Sequence, residues 1–276
     1  MQGKPARRRI DRDHNATAAG SVTIADILAI VSGGAVGLVL ALIGGGGSIL
    51  ATPALLYLVG MSDAHAAIGT SALAVSVNAF ANLIQHARRG HVMWRYGAIF
   101  AAAGVVGAAA GAGLGQRTDA RVLLPLFALL MIAVGVFMLR RKSGGDEAIP
   151  RFEPHKVGRL IATGASVGAI SGFFGIGGGF LIVPGLVGAT AMSMIQAIGT
   201  SLLSVSAFGA TTASSYAIAG LIDWRVAALF IGGGVAGGML GSTFAARLSK
   251  QRGALQRIFA GVVFAVAAYM LYRSLR

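Results

Sequence analysis

The chain has no cysteine, little charge, and no carboxylate inside its long apolar stretches. Each absence removes a class of protein. Without thiols there is no disulfide scaffold and no cysteine-ligated zinc. Charged residues make up 12% of the 276, about half the roughly 25% usual in a soluble domain. Hydrophobic residues make up 55%, which excludes disorder. The 42 glycines follow no collagen period and sit among Ala, Val, Ile and Leu. The composition leaves an all-α, polytopic helical membrane protein.

Basic residues outnumber acidic ones 23 to 9. They cluster in short segments between apolar runs, as orientation signals do. Nucleic acid is therefore not the expected partner; the lipid bilayer is, and the expected location is the cell inner membrane. Asp26, Asp63, Asp119 and Asp223 stand at the ends of apolar runs. Cation channels and many proton pumps place acids within the membrane, so a cationic substrate is disfavoured.

Residues 27–62 form 36 positions without a formal charge. A spanning helix takes roughly 20. The stretch therefore holds one helix, 24–43, and a shorter piece. Gly44 to Gly47 break it, and residues 48–60, with Pro53 inside, read as a re-entrant or tilted short helix. Further spans are expected near 64–86, 96–116 and 122–139. Residues 160–222 run 63 positions without a charge, enough for two helices and a short piece broken by Gly175, Gly177, Gly178, Gly179 and Pro184. The last spans fall near 226–246 and 255–272. The sum is about eight long transmembrane helices plus two short broken or re-entrant ones. The polar tail ends near Ser21, and the run after it exceeds a signal peptide's 7–15 apolar residues, so a retained first helix is expected.

If the short pieces do not cross, both termini share a side with the 88–95 and 140–159 loops. That side then holds 17 of the 23 basic residues. If they do cross, the halves are inverted and the best split is 13 to 10. The positive-inside rule favours the first arrangement, in which the cluster at 247–257 is the exception.

The chain repeats itself. Gly44 to Pro53 aligns with Gly175 to Pro184, Ile68-Gly69-Thr70-Ser71 with Ile198-Gly199-Thr200-Ser201, and Trp94-Arg95 with Trp224-Arg225. Gly104, Gly107 and Gly111 align with Gly234, Gly237 and Gly241, at an offset of 130 to 132 throughout. The organisation is a polar basic tail (1–23), a first transmembrane repeat (24–142), a hydrophilic loop (143–157) and a second repeat (158–276). Matched glycine interruptions in two repeats point to a transporter's substrate site. Irregular backbone inside a membrane survives only where protein or a wet cavity satisfies it. A helix starting after such a turn aims free N–H groups at the cavity, which suits an anion.

These motifs, the glycine break with its trailing proline and the repeated Ile-Gly-Thr-Ser, resemble the sulfite exporter TauE/SafE family of membrane permeases, the toluene-sulfonate-uptake group. The resemblance covers nearly all of 24–272. It implies export or uptake of a small sulfur-containing or organic anion such as sulfite, sulfoacetate or another sulfonate, with no cofactor.

The candidate substrate-binding residues are Gly45, Gly46, Gly47 and Ser48 at the first break, and Gly177, Gly178 and Gly179 at the second. The hydroxyls of Thr70, Ser71, Thr200 and Ser201 are donors for the same cavity, or bond back to helix carbonyls. Ser71, Asn78, Asn82 and His86 fall on one helical stripe. The asparagines line a site or bond between helices. The matched stripe carries Ser201, Phe208, Thr212 and Tyr216. Gln196 is a site residue or a helix start. His65 and His86 are the candidates for proton coupling. The five histidines are scattered, so neither a metal set nor a nucleophile–base pair is expected. The glycine runs lack the Lys-Ser/Thr ending of a phosphate-binding loop, so nucleotide-driven pumping is not expected. The glycine stripes on 107–115 and 233–241 serve packing within the monomer, with a homodimer interface as the other use. Trp94 and Trp224 read as interfacial anchors. An anion channel is the alternative to a carrier, and a membrane-embedded enzyme is a more distant one.

Overall fold

A computed structural model describes residues 23–115, 120–140, 157–174, 179–190, 192–248, 251 and 253–274. Among them there is helix and no strand. The helices are α1 (Ile24–Ile43), α2 (Ala64–Arg88), α3 (Trp94–Gly115), α4 (Ala120–Arg140), α5 (Val157–Phe174), α6 (Gly179–Thr190), α7 (Met194–Ile218), α8 (Trp224–Leu248) and α9 (Ala254–Ser274). Four of the described helices, Ile24–Ile43, His65–Arg88, Met194–Ile218 and Trp224–Leu248, are long and apolar enough to cross a membrane. Large apolar side chains such as Val31, Phe80, Val106 and Met239 lie exposed on the outside, as a lipid-facing surface requires. Trp94 and Trp224 are exposed at the starts of α3 and α8.

The acids serve as caps. Thr23 and Asp26 form a reciprocal capping box at the start of α1. The Asp63 carboxylate accepts from the His65 and Ala66 N–H groups, and Asp223 accepts from Val226 N–H. Asp119 lies outside the described residues.

Between α1 and α2 the chain is a 3₁₀ stretch Gly44–Leu50, three α residues Ala51–Pro53, and a π stretch Ala54–Val59. Pro53 has no N–H to donate, and the helix widens directly after it. Pro184, expected to break the second short segment, is instead carried within α6.

Helix directions follow from the contacts. Arg225 donates to Asp26 at 2.7 Å, joining the starts of α8 and α1. Further along, Gly37 meets Gly234 and Leu38 meets Gly241, so α1 and α8 run the same way. Asn82 reaches the Gly37 carbonyl and His86 the Ala41 carbonyl, so α2 runs that way too. Across the two halves α5 pairs with α3 through Gly164 against Phe100 and Gly168 against Gly104. In turn α3 pairs with α7 through Gly97 against Thr200 and Gly104 against Phe208. These three also share one direction. The two triplets are opposed. On α2, Gly69 lies against Tyr216 and Ser76 against Ser206, while Gly199 of α7 lies against His86.

This corrects the expectation that the short pieces stay at one end. Because α1 and α2 are parallel, residues 44–63 must travel back along the bundle. The ends regroup accordingly. Arg88, Arg89, Arg95, Arg159 and Arg247 gather at one end, so the cluster at 247–257 ceases to be an exception at its first member. Asp26 and Arg225 mark the other end.

Glycines set how closely α1 approaches α8 and α5 approaches α3. A Cβ at Gly33 or Gly37 would overlap the backbone of Phe230 or Gly234. One at Gly107, Gly111 or Gly168 would overlap Ala165, Ala169 or Gly104. The glycine stripes are thus spent on packing within the chain.

Candidate functional site

The first break starts where α1 ends. Gly44 has φ 68 and ψ −140, a region essentially open to glycine alone. A side chain there would run into the Ser201 hydroxyl and press on Val183 of α6. The following turn folds back so tightly that a Cβ on Gly47 would meet the backbone N of Leu40 at 2.5 Å. Gly45, Gly47 and Ser48 are buried.

The serines of the repeated Ile-Gly-Thr-Ser motif hold this break. Ser201 Oγ donates to the Ile198 carbonyl at 2.8 Å and accepts from Gly45 N–H at 3.3 Å. Ser71 Oγ donates to the Ile68 carbonyl at 2.9 Å and lies 2.8 Å from Thr52 Oγ1. With its own hydrogen committed to Ile68, Ser71 accepts from Thr52. Ser48 Oγ donates to the Gly45 carbonyl at 2.7 Å. The break is therefore dressed with backbone N–H groups and hydroxyls, and no carboxylate touches it among the described residues.

The threonines do other work. Thr70 Oγ1 accepts from Asp223 N–H, and Thr200 Oγ1 accepts from Met93 N–H, each at 3.0 Å. Each motif helix thus pins the start of a helix in the other half. Both threonines are fully buried. Thr200→Val is expected to leave the Met93 N–H unpaired and to cost about 1–3 kcal/mol, read as a lower melting temperature in detergent.

Gln196 is a helix start: its Oε1 accepts from Ser193 N–H while its own N–H donates to Ser193 Oγ, a capping box. Thr212 lies partly exposed on α7, and His65 is exposed at the first turn of α2. Gly46 lies in the 3₁₀ turn. Gly179 opens α6, while Gly177 and Gly178 lie outside the described residues. Two hydroxyls escaped the sequence reading. Ser204, one turn after Ser201, and Ser171, near the end of α5, are buried with no hydrogen-bond partner on Oγ among the described residues.

Asn78, Asn82 and His86 are fully buried, but not at the break. They face the α1/α8 pair. Their amides lie where a Cβ on Gly234 or Gly238 would fall. His86 Nε2 is 3.2 Å from the Ala41 carbonyl. Next to them Gln85 Oε1 accepts from Ser242 Oγ at 2.6 Å. Arg89 clamps the same helix through the Ser242 carbonyl and Thr243.

His91, in the loop after α2, lies with its ring 5.5 Å from that of His86. Burial, and then the Arg89 guanidinium, push its pKa down. The folded state therefore favours neutral imidazole. Stability is intact above the ordinary histidine range, about 6.5, and is lost as pH falls below it. Melting temperature is expected to drop between about pH 7 and pH 5, and His91→Gln to flatten part of that dependence.

The family model for the sulfite exporter TauE/SafE matches residues 29–270. A "Probable membrane transporter protein" of Xylella fastidiosa (strain Temecula1) is 54% identical over 253 residues, covering 90% of this chain and 95% of the relative. The "Probable membrane transporter protein YunE" of Bacillus subtilis (strain 168) is 24% identical, covering 90% and 98%. The "Probable membrane transporter protein YfcA" of Escherichia coli (strain K12) is 28% identical, covering 84% of each. No solved structure matches.

Proposed function

This chain belongs to the sulfite exporter TauE/SafE family of membrane transporters, and from that premise we propose a secondary carrier for a small sulfur-containing or organic anion. Sulfite, sulfoacetate and other sulfonates are the substrate class. The carrier consists of two inverted repeats with eight long spans, and both short segments cross between them. It lies in the inner membrane with the Arg88, Arg95, Arg159 and Arg247 end toward the cytoplasm, as the positive-inside rule requires.

The observation that carries the reading is the bond from Gly45 N–H to Ser201 Oγ. The break of one half is held by the motif helix of the other. A substrate bound among Gly45, Ser48, Ser71 and Ser201 therefore touches both halves. The triplet α1, α2, α8 meets the triplet α3, α5, α7 along the antiparallel α2–α7 seam. Rocking along that seam exposes the breaks to one side and then the other. The Thr70 and Thr200 bonds lie inside the triplets, from α2 to the start of α8 and from α7 to the start of α3, and so hold each triplet together as it moves.

Counterflow in proteoliposomes tests this. The panel is sulfite, thiosulfate, sulfoacetate, taurine and isethionate, with acetate as a control without sulfur. A carrier exchanges labelled for unlabelled sulfur anion against a gradient. Conductance without counterflow would make the protein an anion channel. No movement of any sulfur anion by folded, inserted protein would remove the substrate class.

A further inference from the structure

The polar row on α2 is not explained by helix packing. Asn78, Asn82 and His86 follow one another at four-residue spacing and are fully buried. Both amide atoms of Asn78, Oδ1 of Asn82 and Nδ1 of His86 have no hydrogen-bond partner among the described residues. Nδ1 of His91 continues the row toward the loop, also buried and unpartnered. An amide left unpaired in an apolar medium costs several kcal/mol. Interhelical adhesion would need bonds to α1 or α8. The amides make one, a long 3.4 Å contact from Asn82 Nδ2 to the Gly37 carbonyl.

We propose that this face of α2 is a hydrated proton path entered from the Arg88–His91 end, with His86 as the group that takes up and releases the proton. A single file of water meets the valences that the protein leaves open. The backbone of α8 at Gly234 and Gly238 lies directly on the two amides, so the file of single waters enters as α8 draws back from α2, and an oxyanion of several heavy atoms would need a far wider opening. The path is thus separate from the anion site at the breaks. It is also one-sided, because the matched positions on α7 are Phe208, Thr212 and Tyr216.

His86 is placed to transfer the proton. With Nε2–H donating to the Ala41 carbonyl, Nδ1 presents its lone pair to the row. The proton leaves hydronium in the file, forms an N–H bond at Nδ1, and gives imidazolium and water. Release reverses the step, to water that reaches Nδ1 from the opposite face once the halves have rocked. The titratable or charged groups beside His86 are His91 and Arg89. None comes from α1 or α7, which present Ala41 and Gly199. Those two neighbours supply the coupling. Ala41 lies in the last turn before Gly44, and Gly199 belongs to the motif whose Ser201 holds Gly45. A positive charge on His86 therefore favours an anion at the break, so proton and anion travel together. This coupling rests on the carrier reading; the path itself does not.

The cysteine-free chain allows a clean test in two parts. Single variants Asn78→Cys and Asn82→Cys in liposomes are exposed to silver ion, a monatomic probe, and the remaining thiols are counted after denaturation. Both are expected to react from the Arg88–His91 side, whereas Ala79→Cys and Leu83→Cys, also buried on α2 but off that stripe, stay protected. Equal protection at all four positions would overturn the path. In the second part, sulfite accumulation driven by a pH gradient is compared with sulfite counterflow at equal pH. His86→Gln is expected to lose accumulation by about 100-fold, as for a missing proton-transfer group, and to keep counterflow. Retained accumulation would overturn the role of His86. Loss of both by folded protein would make it a positioning residue instead. Wild-type protein that gives no sulfite counterflow would contradict the carrier reading for sulfite, with the silver result still deciding the path.

Discussion

Gly37→Val is expected to abolish the folded protein. A side chain at 37 would enter the backbone of Gly234, where both partners are main chain and neither has a rotamer to turn away. Overpacking a flexible core costs about 1–3 kcal/mol; a backbone-to-backbone overlap exceeds that range, because α1 and α8 must separate along their length. The Gly37 carbonyl would also leave Asn82. Against a total stability of about 5–15 kcal/mol, the change removes a large share. Monodisperse yield from detergent and melting temperature read it. Gly168→Val, which meets Gly104 in the matched position of the α5–α3 pair, should fail equally. Gly232→Val, whose Cβ meets nothing, should stay within about 0.5 kcal/mol of the parent. A Gly37→Val protein with parental yield and melting temperature would disprove this packing.

Gly44→Ala is expected to leave the chain folded and to slow transport. Its backbone conformation costs an L residue about 1–3 kcal/mol, and the new methyl would overlap Ser201 Oγ. Together they force the first break off the motif serine. The rate of counterflow should fall about tenfold or more, tenfold being 1.4 kcal/mol. Adding Ser201→Ala removes the overlap but also the hydroxyl that holds Gly45, so the double variant should regain no transport, while its loss stays smaller than the sum of the two single losses. A strictly additive double-mutant cycle would show that residues 44 and 201 act independently. Parental transport by Gly44→Ala would show that the break does not need glycine.

The bounds of α1 were legible, because a charge-free run ended by glycine leaves little choice. The Ile-Gly-Thr-Ser motif was legible as a pair, yet not its division of labour. Thr70 faces Asp223 and Thr200 faces Met93, partners that lie in the opposite half. The same holds for Asn78 and Asn82. Their shared face could be read from four-residue spacing, while the glycines of α8 lying over them could not. The return of residues 44–63 was missed for a physical reason. Gly44 to Gly47 read as a break and were left out of the length, but they open the 3₁₀ stretch, so the climbing piece starts four residues earlier than Ser48. The charge count erred through the five basic residues of the tail, which weigh on one side whatever the helices do. The cytoplasmic loops are where that bias is informative.

The opposed orientation of the two halves is the claim on which the site, the seam and the rocking motion all depend. It is tested by placing one cysteine at Arg88 and, in a second variant, one at Ala219, both exposed and at matched ends of α2 and α7. Each is labelled with a membrane-impermeant maleimide in cells and again after lysis. The account predicts that they react from opposite faces of the membrane, Arg88→Cys only after lysis and Ala219→Cys in intact cells. Labelling of both from the same face would make the halves parallel and contradict it.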